Sequence, residues 1–182
     1  KNQKSASEKM EELSSSLAQA MGEMEEESLA EDIENLKMIL KNLVHLSFFQ
    51  ERNLELGRKI NNRDPSYGKL LANQKAIINR FKIVEDSLYS LSKRQIMVQN
   101  IITKDLKNIR EYSDRIDHHY NFGDVASAVV QQQYLMQSLN NLALLLVESL
   151  ENMNNQMNEM QGKAKGKEGK CKSKSPGKSP GS

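Results

Sequence analysis

Apolar residues recur at alternating spacings of three and four over most of this chain. The longest such row is Met136, Leu139, Ala143, Leu146, Leu150, Met153, Met157 and Met160. That is a heptad pattern, and it predicts a helix that packs against partner helices. Through Leu142–Val147 nearly every face is apolar, so this helix is expected to be the central one. Turn signals divide the chain into five predicted helices. Ser5-Ala6-Ser7-Glu8 and Ser28-Leu29-Ala30-Glu31 both read as capping boxes. They predict a first helix over 6–27, with Met10, Leu13, Leu17, Ala20, Met21 and Met24 on one face, and a second over 29–58. In the second, Ile33, Leu36, Leu40 and Leu43 form the stripe and Val44 and Phe48 widen it. Ser47 and Gln50 would interrupt a strict seam there, which favours globular packing over a coiled coil.

Asn61-Asn62-Arg63 supplies turn residues, and Asp64-Pro65 predicts an aspartate cap with proline in the first helical position. The third helix then reaches about residue 92, carrying Leu70, Gln74, Ile77, Phe81, Val84, Leu88 and Leu91 at heptad spacing. The fourth covers about 96–118, with Val98, Ile102, Leu106, Ile109 and Ile116 inward. No Gly or Pro marks the join at Lys93-Arg94, and both a break and a continuous bent helix fit the pattern. Asn121-Phe122-Gly123-Asp124 predicts a turn and a second aspartate cap. The fifth helix should end near Gln161, with Gly162 as its terminator. At 1.5 Å per residue it would be roughly 57 Å long. The expectation is an all-α fold, an antiparallel bundle of four to five long helices with a central C-terminal helix. Residues 1–27 would form a loosely packed acidic helix, 28–161 the bundle, and 162–182 a disordered Lys/Gly/Ser tail.

Composition adds three constraints. Only 37% of residues are hydrophobic, and 9 of the 182 residues are aromatic, none of them Trp, so the core has to be aliphatic. Charge is unevenly spread: seven lysines and one glutamate from Gly162 onward give about +6 against +2 for the whole chain, leaving about −4 elsewhere. Acidic residues concentrate between Glu8 and Glu34. Such asymmetry concerns solubility and partners, not fold. The longest apolar run is six residues, Leu142–Val147, far short of the roughly 18 needed to span a membrane. The single cysteine, Cys171, leaves the redox compartment undetermined. Beginning with Lys1 and closing on a low-complexity tail, the sequence reads as a piece of something longer.

Three blocks carry a family resemblance. Asn42-Leu43-Val44-His45-Leu46-Ser47-Phe48-Phe49-Gln50-Glu51 resembles an NLVxLSFxQE block. Glu85-Asp86-Ser87-Leu88-Tyr89-Ser90-Leu91-Ser92-Lys93-Arg94 resembles EDSLxxLSKR, and Met136–Leu146 resembles MxxxNNLALLL. In this order, across Leu36 to Met157, they resemble the C-terminal helical region of the bacterial membrane-anchored domain-of-unknown-function 4175 family. The resemblance implies a large parent with membrane helices near its N-terminus and Gln/Met/Lys-rich low-complexity segments. It implies no activity.

Candidate chemistry is sparse. Asp114 and His118 are i and i+4 on one helix, so with Asp117, His119 and the distant His45 they form the one metal-like set; a metal site needs three or four ligands that converge. The competing reading is a solvated helix end, where histidines suit the C-terminal dipole. Asp124, Glu148 and Glu151 could be imagined as an acid/base set, but a cap and a polar helix face explain them. No phosphate loop, nucleophile elbow or Cys–His pairing appears, and Cys171 sits in the tail without a rigid surround. Asn140 and Asn141, beside the leucine seam, either bond a neighbouring helix or face solvent. Ser87, Lys93 and Arg94 are expected to cap locally or pair with Glu85 or Asp86.

The sequence therefore predicts a non-enzymatic interaction or scaffold module without a cofactor. Its partner would be a protein or another part of the parent chain, homo-oligomers included. Met153, Met157 and Met160 are the expected contact residues. A ligand- or metal-binding bundle is the second reading. The third is an electrostatic tether through the lysine tail, which lacks the arginine and aromatic interleaving of specific nucleic-acid readers.

Overall fold

A computed structural model describes the backbone of residues 2–168 and the side chains of residues 6, 7 and 9–162. The described residues are all-helical: α1 (Asn2–Gly57), α2 (Tyr67–Ser92), α3 (Ile96–Asn121) and α4 (Val125–Glu168). They fall into two compact units, one of residues 31–151 and one of the described residues before 31 and after 151.

Predicted boundaries are corrected along α1 and α4, and α1 already begins at Asn2, so the Ser5-Ala6-Ser7-Glu8 box lies inside it. The helices expected at 6–27 and 29–58 are one continuous helix, α1, so the Ser28-Leu29-Ala30-Glu31 box caps nothing. A capping box needs its first residue outside the helix, and here the i→i−4 ladder runs through Ser28 instead. At the other end, α4 continues through Gly162 to Glu168. Glycine permits a left-handed terminus but does not force one. The remainder of the expected tail, with Cys171, lies outside the described residues.

Within 31–151 each helix buries a row spaced by threes and fours. On α1 the row is Asp32, Leu36, Ile39, Leu43, Leu46, Gln50, Asn53 and Gly57. Gln50 is thus a seam residue, 0% exposed, rather than an interruption. Val44 and Phe48, expected to widen the stripe, are 38% and 56% exposed. On α2 all seven predicted residues, Leu70 to Leu91, are buried. On α3 the five predicted residues are buried, and Asp105, Ser113 and Tyr120 join them. On α4 the row is Ala128, Gln132, Leu135, Leu139, Leu142, Leu146 and Ser149. It shares Leu139 and Leu146 with the predicted seam but is rotated from the rest, and Leu144 is left 69% exposed. The helix therefore buries one face, not every face.

All four helices meet around one apolar gap lined by Leu46, Ile77, Phe81, Ile109, Leu135 and Leu139. Contacts between neighbours run in opposite numerical order. Asn53 reaches Gln74 while Asp32 reaches Arg94. Tyr67 reaches Tyr120 while Glu85 reaches Arg110.

The connections are built from local hydrogen bonds. After α1, the Asp64 carboxylate accepts the Ser66 amide at 2.7 Å, an Asx turn that delays the start of α2 to Tyr67. Between α2 and α3 the chain breaks at Lys93–Gln95, with Gln95 extended (φ −115°, ψ 94°). At the end of α3, the Gly123 amide donates to Tyr120 O (3.0 Å) and the Asp124 amide to His119 O (2.9 Å). Those two bonds form a Schellman motif, with Gly123 at φ +71°. The Asp124 side chain then accepts the Ser127 amide at 3.0 Å, capping α4 as expected.

The positive φ is what favours glycine at 123; a Cβ there would also lie 2.6 Å from Asn62 Nδ2, the end of an exposed side chain that can turn aside. Gly123→Ala is expected to lower the unfolding free energy by about 1–2 kcal/mol, read from the urea midpoint at constant m-value.

Candidate functional site: a buried amide layer and its surroundings

The most unusual feature of the 31–151 interior is a layer of amides. Gln50 and Asn53 of α1, Gln74 of α2 and Gln132 of α4 are each at most 1% exposed. All four occupy seam positions, so heptad geometry aims them inward and at one another. Gln74 is the hub. Its Oε1 accepts from Asn53 Nδ2 (3.0 Å) and from Gln132 Nε2 (2.6 Å), and its Nε2 donates to Gln50 Oε1 (3.1 Å). Asn53 Nδ2 also donates to Leu70 O at 3.3 Å. Gly57 lets α4 approach: a Cβ there would meet Val129 Cγ2 at 2.9 Å and Gln132 Oε1 at 3.3 Å. Three atoms of the layer, Gln50 Nε2, Asn53 Oδ1 and Gln132 Oε1, have no protein partner. Amides do not titrate, so the layer itself offers no acid or base group.

A second polar node holds the α2–α3 break. The Asp32 carboxylate, with its side chain 2% exposed, accepts Arg94 Nε at 2.8 Å, Arg94 Nη2 at 2.5 Å and Gln95 Nε2 at 2.8 Å. The carboxylate hydrogen bond holds the Arg94 guanidinium above its ordinary value. The expected partners of Arg94, Glu85 and Asp86, are thus replaced by a residue 62 positions away. Glu85 instead accepts from Arg110 Nε at 2.7 Å, and Arg110 also donates to Tyr89 Oη at 2.7 Å. Ser87 donates to its own helix, at Ile83 O. Asn140 is exposed and also bonds across helices: Ser47 Oγ donates to Asn140 Oδ1 at 2.5 Å. Asn141 is exposed.

The metal-like set does not assemble. No three His, Cys, Asp or Glu side chains among the described residues are placed to hold an ion. His45 and Asp114 are exposed on α1 and α3. His118 packs against Phe122 with ring centroids 4.8 Å apart. His119 Nδ1 lies 3.3 Å from Asp124 Oδ2, completing the Schellman corner. Hydrogen bonds to Ser127, then the His119 contact, hold the Asp124 carboxyl below the usual range. Glu148 and Glu151 are exposed along α4. Of the methionines, Met153 is 3% exposed, whereas Met157 and Met160 keep intermediate exposure.

Sequence reasoning missed the amide layer because it scored Gln50 as a defect and Gln132 not at all. The available signal was Gln74, already placed in the α2 seam, which demands polar partners at the same level. It also missed Asp105, 6% exposed in the α3 seam, whose carboxyl is pushed up by burial. No family model matches the chain, and no curated protein or solved structure is significantly similar to it.

Two expectations follow. Gln74→Leu keeps the volume but strands a donor on Gln132 and an acceptor on Gln50 and leaves Asn53 Nδ2 with Leu70 O alone. It should cost about 2–4 kcal/mol in urea unfolding. For Asp105, a folded-state value raised above the ordinary 3.8 means that ionisation opposes folding. Its penalty is absent below 3.8 and complete once pH exceeds the raised value. Asp105→Asn should therefore raise the melting temperature at neutral pH, with the gain shrinking toward zero as pH falls below 4.

Proposed function

We propose that this chain is a non-enzymatic helical interaction or scaffold module belonging to a larger, membrane-anchored bacterial protein of the domain-of-unknown-function 4175 type. Its core would be an antiparallel four-helix bundle, followed by a disordered basic tail. The observation that carries the interaction reading is apolar surface left open on long helices. Met10, Leu13, Leu17, Met21 and Met24 are 55–76% exposed along α1. Met157 and Met160 on α4 are partly open as well. Apolar side chains grouped on one surface mark contact sites more often than bare solvent faces. Methionine suits such a surface because its unbranched side chain adapts to a partner.

The family assignment rests on the three sequence blocks. Their positions suit a packing role. Leu43, Leu46 and Gln50 of the first block, Leu88 and Leu91 of the second, and Leu139, Leu142 and Leu146 of the third all lie in buried seams. Membrane attachment would come through the parent's own N-terminal helices. Among the described residues, no helix is long and apolar enough to cross a membrane.

A photo-crosslinking residue placed at Leu17, Met157 or Met160 in the intact parent tests the reading. Adducts with another protein, with a second copy or with another segment of the parent are expected at one or more of these positions. Absence of adducts at all three, together with a strictly monomeric chain that binds no parent segment in light scattering, removes it.

A further inference from the structure

We infer that the first part of α1 is a self-association surface on which two copies of this chain pair antiparallel. The inference rests on reading this face as a contact surface and goes further by naming the occupant. Ala6, Met10, Leu13, Leu17, Ala20 and Met24 follow one another at spacings of four, three, four, three and four, a strict heptad seam. Every one of these side chains is exposed, Met10 at 76%, Leu13 at 70%, Leu17 at 61% and Met24 at 71%. The unit's own packing uses a different side of the helix. Leu29 is 5% exposed, and Glu26 Oε1 accepts from Gln161 Nε2 at 2.9 Å. At about 100° per residue, those positions lie roughly 140° and 200° around the helix from Met24. The seam is therefore complete, regular and uncovered.

The order of side chains along the seam chooses the partner. Laid antiparallel on itself about its midpoint, the row sets Ala6 against Met24, Met10 against Ala20, and Leu13 against Leu17. Each layer then matches a long side chain with a short one, or two leucines, at nearly constant volume, as close packing requires. A parallel pairing would stack Met on Met and Ala on Ala, alternating overfilled and empty layers. Charge agrees. Lys9 and Glu23 both occupy the position preceding a seam residue, and the antiparallel register brings Lys9 of each copy beside Glu23 of the other, twice by symmetry. In the parallel register the residues facing them are Ser14 and Ser28, so neither finds an opposite charge. Glu23 Oε1 is held by Gln19 Nε2 at 3.0 Å, which presents the carboxylate at the helix surface. The seam stops at polar residues on both sides, Gln3 and Glu27, and these too are symmetric about its midpoint.

The association should be weak. About 19 residues of helix span roughly 28 Å, and an interface of that length falls below the ~1,200 Å² of stable complexes. Because the segment is already helical as the start of α1, pairing does not repeat the cost of helix nucleation. A dissociation constant on the order of micromolar is expected.

Sedimentation analysis of the whole chain in a Cys171→Ser background, over concentrations up to the order of millimolar, reads the equilibrium. Leu17→Glu should raise the dissociation constant more than a hundredfold while leaving the melting curve in place, since this side chain is open in the single chain. Lys9→Glu and Glu23→Lys should each weaken pairing at least threefold, and the double exchange should restore it. Under oxidation, Leu13→Cys and Leu17→Cys chains should crosslink when mixed, and neither should do so alone. A chain that stays monomeric throughout, or a dimer that survives Leu17→Glu, overturns the inference. So do cysteine variants that crosslink only to themselves, the parallel outcome. A monomeric chain whose Leu17 photo-adduct is a different protein overturns self-pairing alone and leaves the interaction-module reading standing.

Discussion

Gln74 ties the interior of residues 31–151 together. It is fully enclosed, and three of its hydrogen bonds lead to three other buried amides on two other helices. Each of those amides is stranded unless α1, α2 and α4 stand at one particular height relative to one another. Aliphatic seams do not impose this. A leucine row slid by one heptad finds another leucine row, and the loss in burial is modest. A buried amide displaced from its partner loses about 1–3 kcal/mol per unsatisfied group. The layer therefore contributes less to total stability than to the uniqueness of one register, the best-attested use of a polar residue at a seam position.

The Asp32 node extends the same logic to the other end of α2. No residue in Lys93-Arg94-Gln95 obliges a helix to break, since none is Gly or Pro. The break is fixed from outside: the side chains of Arg94 and Gln95 both reach the one buried carboxylate on α1. A buried carboxylate without such donors would be costly, so the pair is interdependent. Two polar clusters of different chemistry thus pin α2 against α1 at opposite ends, with the apolar rows between them free to be generic. The Schellman corner at Gly123, closed by His119 and Asp124, sets the entry of α4 in a similar way.

This division explains how much of the structure was legible in the sequence. The α2 seam could be read residue by residue because its apolar pattern is clean and its one polar member sits in step. The α3 seam was legible for its aliphatic residues and not for Asp105, because periodicity alone does not say that a charge is buried. The α4 seam was misplaced for the same reason. Choosing the most apolar row favoured Met136, Ala143 and Leu150 over Gln132, Leu142 and Ser149, while the folded helix follows the row that meets Gln74. The caps behaved unequally. Asp124 follows a residue with positive φ, which ends α3 and forces a new start. Ser28 follows Glu25-Glu26-Glu27, which weakens a helix terminus but does not end one, and α1 runs on. The histidines offered a spacing without convergence, and convergence is a tertiary property that i, i+4 pairs cannot supply.

The continuity of α1 changes the meaning of its first seam. The sequence pattern predicts a separate, loosely packed short helix for the row from Met10 to Met24. In the structure the row lies at the start of the continuous 56-residue α1. Its packed neighbours in the same unit, Leu29 and Glu26, occupy another side of the helix. A regular apolar row off the side its own unit packs, flanked by charges of both signs, has two outcomes in water. It remains exposed at a hydrophobic cost of about 25 cal/mol per Å², or it finds a surface of matching period. The surface of matching period, length and charge that this sequence itself supplies is the same row in a second copy.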